Sequence, residues 1–147
     1  MRLDKLSELD SAHALTATAY STNTIDLGNV TPKRDIGTGE RLALVITVDV
    51  AADLTTGDET YAFDFVQSAN ANLSSEDILV SMTVGGATLV AGYKVNVPIP
   101  AGAITKRYIG AKYVLGGTTP TITVSSHVQP ANMVEQQQSY ARGYVVA

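Results

Sequence analysis

The stretch Leu42-Ala43-Leu44-Val45-Ile46-Thr47-Val48-Asp49-Val50 decides the fold. Leu42, Leu44, Ile46, Val48 and Val50 share one parity, while Thr47 and Asp49 fall on the other. Successive side chains of a strand point to opposite faces, so this is a half-buried strand with one core face. The pattern returns in Tyr61, Phe63 and Phe65, with Ala62 and Asp64 facing away. It returns again in Ile78, Val80, Met82 and Val84 against Ser81 and Thr83, and in Val95, Val97 and Ile99 against Lys94, Asn96 and Pro98. Pro98 and Pro100 mark an edge strand or its end, because proline cannot donate to a ladder.

Residues 107–115 and 121–128 read as two further strands, and Gly116-Gly117-Thr118-Thr119-Pro120 between them reads as a hairpin connection. With residues 14–20 and 24–27 the total is about eight strands, which predicts an all-β chain: an antiparallel β-sandwich or jelly roll. Leu44, Ile46, Val48, Phe63, Val80 and Val97 are the expected core. Turn signals fall at residues 31–39, 52–59, 68–77, 85–86 and 101–106. Leu3, Leu6 and Leu9 recur every three residues, too short a run to hold a helix alone. Residues 1–11 are therefore read as an N-terminal arm, 12–128 as the sandwich and 129–147 as a C-terminal arm.

A chain of 147 residues suits one domain. Charged residues make up 16%, against about 25% in a typical soluble domain, which points to a surface that ends up covered. There is no cysteine, so disulfides, thiol nucleophiles and cysteine-based metal sites are excluded. Residues 1–10 carry no apolar core of signal-peptide length, and no run reaches the ~18 apolar residues of a membrane span. A soluble chain with no membrane partner is expected. The net charge of −4 argues against nucleic acid as the main partner. Residues 1–80 hold five basic and thirteen acidic residues, a balance of −8; residues 81–147 hold five basic residues and Glu135, a balance of +4. Two readings follow: complementary faces that assist assembly, or strands of both halves that interleave and cancel the asymmetry.

Ser125-Ser126-His127 invites a hydrolase reading, but no strand–turn–helix context surrounds it, and His127 sits on the polar parity as a solvated histidine would. Asp53, Asp58, Glu59, Glu76 and Asp77 match no calcium-loop spacing and read as turn carboxylates. Gly37-Thr38-Gly39 lacks the third glycine and the helix that phosphate binding needs. No catalytic, metal-binding or cofactor-binding residue is assigned, and no enzyme is expected. Tyr61, Tyr93, Tyr108 and Tyr113 are expected in or near the core. The C-terminal arm mixes Met133, Tyr140, Tyr144 and Val145 with glutamines and Arg142, too apolar for a free tail and too irregular for a strand. Tyr140, Arg142, Tyr144, Met133 and Val145 are the candidate protein-interface residues, since aromatics with polar tips and arginine suit contact surfaces.

Three stretches carry a resemblance: Ala14-Leu-Thr-Ala-Thr-Ala-Tyr-Ser-Thr-Asn-Thr-Ile-Asp-Leu-Gly28, Arg34-Asp-Ile-Gly-Thr-Gly-Glu-Arg-Leu42 and Arg107-Tyr-Ile-Gly-Ala-Lys-Tyr-Val-Leu-Gly-Gly-Thr-Thr-Pro-Thr-Ile-Thr-Val-Ser125. Together they resemble the capsid cement (decoration) protein family of short-tailed, Bordetella-phage-like bacteriophages, with its Thr/Ala strand, Arg-Asp-x-Gly turn and Arg-Tyr strand hairpinned to a Thr/Val strand. The resemblance implies a jelly-roll body, no catalysis, self-association, and binding to a major capsid protein of HK97-like fold on the exterior of a virion assembled in the bacterial cytoplasm. The rival reading is a carbohydrate- or receptor-binding jelly-roll module of a virion, since that fold serves both uses. A sugar site would want an exposed aromatic platform, and the chain has no tryptophan.

Overall fold

In the computed structural model the described residues are 5–28 and 41–131. A 3-10 turn, Lys5–Ser7, leads into nine strands among the described residues. They are β1 Glu8–Leu15, β2 Ala19–Tyr20, β3 Ile25–Asp26, β4 Leu42–Val50, β5 Thr60–Ser68, β6 Asp77–Val84, β7 Lys94–Pro98, β8 Tyr108–Gly116 and β9 Ile122–Pro130. One sheet has the order β1-β9-β4-β7 and the other β2-β8-β5-β6, with β3 also on β8. Because β2 and β3 pair with successive parts of β8, they are two pieces of one interrupted strand.

Taken from the chain ends inward, the pairs nest: β1 with β9, β2 and β3 with β8, β4 with β7, and β5 with β6. Two extra ladders, β4 with β9 and β5 with β8, roll this long antiparallel hairpin into two layers. That is a jelly roll, an antiparallel β-sandwich. Leu44, Ile46, Val48, Phe63 and Val97 are fully buried between the layers as expected, and Val80 is half-buried against the same core.

Four expectations need correction. The connection after Gly116 is not a hairpin, because β8 and β9 lie in different sheets. The arch is tight there: Gly117 has φ +90°, and a Cβ on it would lie 2.4 Å from the Asp58 carbonyl oxygen. Residues 14–20 are not one strand but a corner between sheets. Thr18 stands in at that corner, its hydroxyl accepting from the Leu115 amide (3.1 Å) and lying 3.2 Å from the Leu115 carbonyl. The body also starts earlier and ends later than residues 12–128, with β1 beginning at Glu8 and β9 running to Pro130.

The fourth correction concerns parity. The register of β4 on β9 shifts between Val48 and Val50, which leaves Val50 59% exposed. The register of β6 on β5 shifts between its pairs with Phe65 and Val66, which turns Ile78 outward and leaves it 51% exposed. One extra residue in one strand of a pair inverts the faces beyond it. In β1 two such shifts, with Ala12 at φ 48°, let the consecutive residues Leu9 and Asp10 both be buried.

The two halves of the chain interleave in both sheets. Ion pairs Asp26–Arg107, Asp77–Lys106 and Glu76–Lys112 join the acidic half to the basic half, so the charge asymmetry of the sequence does not become two opposed faces.

The loop between β5 and β6 folds back over the outer face of its sheet. Leu73 is fully buried there, and a Cβ on Gly110 of β8 would lie 2.6 Å from Leu73 Cδ1 and 2.9 Å from Ser21 Oγ. Ser21 Oγ cannot retreat freely, because it accepts from the Ala111 amide (3.1 Å) and donates to the Asn23 carbonyl (2.8 Å). Glycine at 110 is thus the seat of Leu73. Gly110→Val should lower stability by about 1–3 kcal/mol through overpacking. Urea unfolding checks this, and a midpoint equal to wild type would show that Leu73 does not sit where described.

Candidate interaction site

The Ser125-Ser126-His127 stretch is divided between two faces by strand alternation. Ser126 points into the core, where its hydroxyl lies 2.6 Å from the Tyr113 hydroxyl. Ser125 points outward, donating to Asp49 (2.6 Å) and accepting from the Ala12 amide (2.9 Å). His127 is buried rather than solvated, with Nε2 2.9 Å from Gln129 Oε1. Its neighbours on that outer face, Ala43, Val45 and Gln129, are buried too. Alternation assigned its face correctly but could not reveal that the face is closed.

A polar key crosses the interior. The buried Asp10 carboxylate accepts from the Thr22 amide through Oδ1 (2.9 Å) and from the Tyr113 hydroxyl through Oδ2 (2.5 Å). Since the Tyr113 proton goes to Asp10, the Ser126 hydroxyl donates to the Tyr113 oxygen. His13 Nδ1 lies 3.0 Å from Oδ1 without hydrogen-bond geometry, and its ring meets that of Tyr113 edge-on at 6.1 Å. Burial, then the charge of Asp10 and the hydrogen bond to it, push the Tyr113 phenol well above its usual value, so it remains a donor. The key fixes β1 and β9 of one sheet to β8 of the other. Tyr113→Phe leaves a buried carboxylate oxygen and Ser126 each one partner short. The expected loss is about 1–3 kcal/mol, read as a lower unfolding midpoint at pH 7; no change would mean that water or another group replaces the phenol.

Outside the second sheet, Glu76 takes Lys112 Nζ on Oε1 (2.6 Å) and the Tyr20 hydroxyl on Oε2 (2.7 Å), with Lys112 5.6 Å from the Tyr20 ring centre. This clasp ties the β5–β6 loop down to β2 and β8. Asp64, the cross-strand neighbour of Lys112, is buried rather than solvated. Further along β8, Arg107 grips Asp26 with two bonds of 2.7 and 2.8 Å, which holds the Asp26 carboxyl at about 2, the Gly28 amide adding to the effect. Sequence spacing gave no sign of either pair, since the partners are far apart in the chain.

Lys112, then Tyr20, hold the Glu76 carboxyl at about 2, below its ordinary 4.5. A depressed carboxylate stabilises the fold above its ordinary value, and that contribution disappears as pH falls through 4.5 toward 2. With allowance for solvent at this half-open site it is worth about 1–2 kcal/mol. Glu76→Gln should therefore flatten the acid limb of a stability–pH profile between pH 4.5 and 2 by about that amount. Parallel wild-type and mutant profiles would contradict the clasp.

The turn carboxylates serve the loops. Asp58 accepts from the Thr118 amide (3.1 Å) and hydroxyl (2.8 Å), and Glu59 accepts from the Thr56 (2.9 Å) and Gly57 (2.8 Å) amides. The Thr118 amide, then the hydroxyls of Thr56 and Thr118, hold the Asp58 carboxyl below its usual value. Among the described residues no group of three His, Cys, Asp or Glu is placed to hold a metal ion. Tyr61 and Tyr113 are buried, with Tyr93 and Tyr108 intermediate, in line with the expected positions.

What remains for contact is the described surface. The loop end built by residues 50–59 and 85–93 carries the exposed apolar side chains Val50, Leu54 and Val90, and the Ala52 amide there donates to the Leu89 carbonyl (3.0 Å). The expected interface residues Met133, Tyr140, Arg142, Tyr144 and Val145 lie outside the described residues, as do Gly37-Thr38-Gly39. Among the described residues the two sheets leave four edges; β6 carries one register shift near Ile78 and is regular from Val80 to Val84.

The family model of Bbp16 matches residues 9–128, from the second residue of β1 to near the end of β9. No curated protein matches the chain. Among solved structures, the crystal structure of PBSX exported protein XepA is similar, with a TM-score of 0.47 and 16% identity over 98% of this chain. The chain spans 46% of that protein's length.

Proposed function

Because the chain belongs to the Bbp16 family, a Bordetella phage protein family, we propose that it is a structural capsid cement protein, binding the outer surface of a phage head and linking neighbouring capsomers. The family match over the whole jelly roll is the observation that carries this reading. The low charged fraction supports it, as does a described surface on which carboxylates and hydroxyls are spent on holding loops rather than converging on one point. In this role the protein performs no turnover. It meets a major capsid protein of HK97-like fold and further copies of itself, and resides on the capsid exterior.

The exposed Val50, Leu54 and Val90 and the C-terminal residues Met133, Tyr140, Arg142, Tyr144 and Val145 are its proposed contact groups. Since the Ala131 amide is bonded to the Arg41 carbonyl (2.7 Å), the truncation that spares the body ends after Ala131. Purified protein mixed with heads of its own phage prepared without it should co-sediment saturably and raise their disruption temperature. The truncated chain should keep its melting temperature and be released from heads at least tenfold more readily. Absence of head binding by the full chain, together with its absence from purified virions, would refute the reading. Full retention of the truncated chain would remove residues 132–147 from the interface alone.

A further inference from the structure

A sheet edge exposes a row of unpaired backbone groups, and proteins that stay apart blunt such edges. Among the described residues, three of the four edges are blunted along their whole length. β1 carries two register shifts and Ala12 at φ 48°, whose amide is spent on Ser125. β7 has five residues and ends at Pro98. The β2–β3 edge is interrupted, with two residues in each piece. β6 differs in part: it too carries a register shift, near Ile78, but the stretch beyond it, Val80 to Val84, is regular, with no proline, no glycine and no charge. It contains no buried residue, and among the described residues its outer side makes no backbone bond.

We propose that β6 is the strand through which two copies of this chain join, edge to edge and antiparallel, about a two-fold axis at Met82. This rests on the reading that the protein associates with itself. The occupant is argued from self-complementarity. Directly opposed residues of an antiparallel pair share a face. With the axis at Met82, Val80 of each copy meets Val84 of the other, Met82 meets Met82, and Ser81 meets Thr83. Val80, Met82 and Val84 all pack on the core side, whereas Ser81 and Thr83 are exposed. Apolar groups thus meet apolar groups, hydroxyls meet hydroxyls, and no like charges are opposed. The register lies wholly within the regular part of β6, beyond the shift near Ile78. Pairing consumes the regular stretch of β6 in each copy, so this contact closes at two copies rather than growing into a fibre.

The test uses the exposed positions, so that folding is preserved. In Ser81→Lys with Thr83→Lys, lysine faces lysine twice across the axis; in Ser81→Lys with Thr83→Glu, lysine faces glutamate instead. Sedimentation equilibrium of the full chain should give a dimer of the 15.4 kDa protein. The double-lysine variant should dissociate at least tenfold more readily with an unchanged melting temperature, and the lysine–glutamate variant should remain dimeric. A double-lysine variant that associates like wild type would overturn the β6 assignment while leaving self-association standing. Equal loss in both variants would overturn the register. A wild type that is monomeric both free and on heads would overturn self-association itself. Should a monomeric wild type lose head binding on double-lysine substitution, the partner strand would be the capsid's and the proposal would fail.

Discussion

One buried negative charge organises this sandwich. Asp10 lies between two sheets whose facing side chains are almost all apolar, and a carboxylate there is tolerated only if donors surround it. Thr22, before β3, supplies an amide, and Tyr113 of β8 supplies a phenol backed by Ser126 of β9. Both donors to the carboxylate come from the layer opposite β1, and Ser126 ties the phenol back to the layer of β1 itself. The charge is satisfied only when β1 has been laid on β9 and the corner at residues 16–18 has carried the chain across. A register slip of one residue in β1 would remove the carboxylate from all of them at once. The two shifts in β1 make this placement possible.

The rolled topology then dictates where function can reside. Apart from the β2–β3 break and the β5–β6 hairpin, each described connection passes from one sheet to the other, so loops collect at the ends of the sandwich. The ends are laced internally, by Asp58 and Thr118 at one and by Gln67 with the amides of Thr105 and Lys106 at the other. Such a body presents strand edges along its sides and hydrogen-bonded loops at its ends. That suits a protein whose work is to hold other surfaces in place, where preorganisation limits what is lost on association.

Much of this was legible in the sequence. The alternation of Leu44, Ile46 and Val48, and of Tyr61, Phe63 and Phe65, gave the strands and their inner faces, because a period of two admits one arrangement on a half-buried sheet. Val50 and Ile78 broke the rule for one reason: a register shift is a property of the pairing, and a single strand does not announce its partner's spacing. The loop of Gly116 to Pro120 has hairpin composition, yet the same glycines serve an arch between sheets; only the burial of both flanking strands in opposite layers separates the two. Gly110 became intelligible through Leu73, and Arg107 through Asp26, partners 37 and 81 positions away in the chain. Of the interface residues expected near the C-terminus, none falls within the described residues, so the contact surface is argued from β6 and the loop end.

The account comes down to where this jelly roll sits in the phage. A cryo-EM reconstruction of the heads of the encoding phage, at a resolution that separates strands, reads this directly. The account predicts density for a two-layer, rolled antiparallel sandwich on the outer surface, bridging adjacent capsomers. Heads with a bare outer surface, or the same density found in the tail or inside the shell, would contradict it.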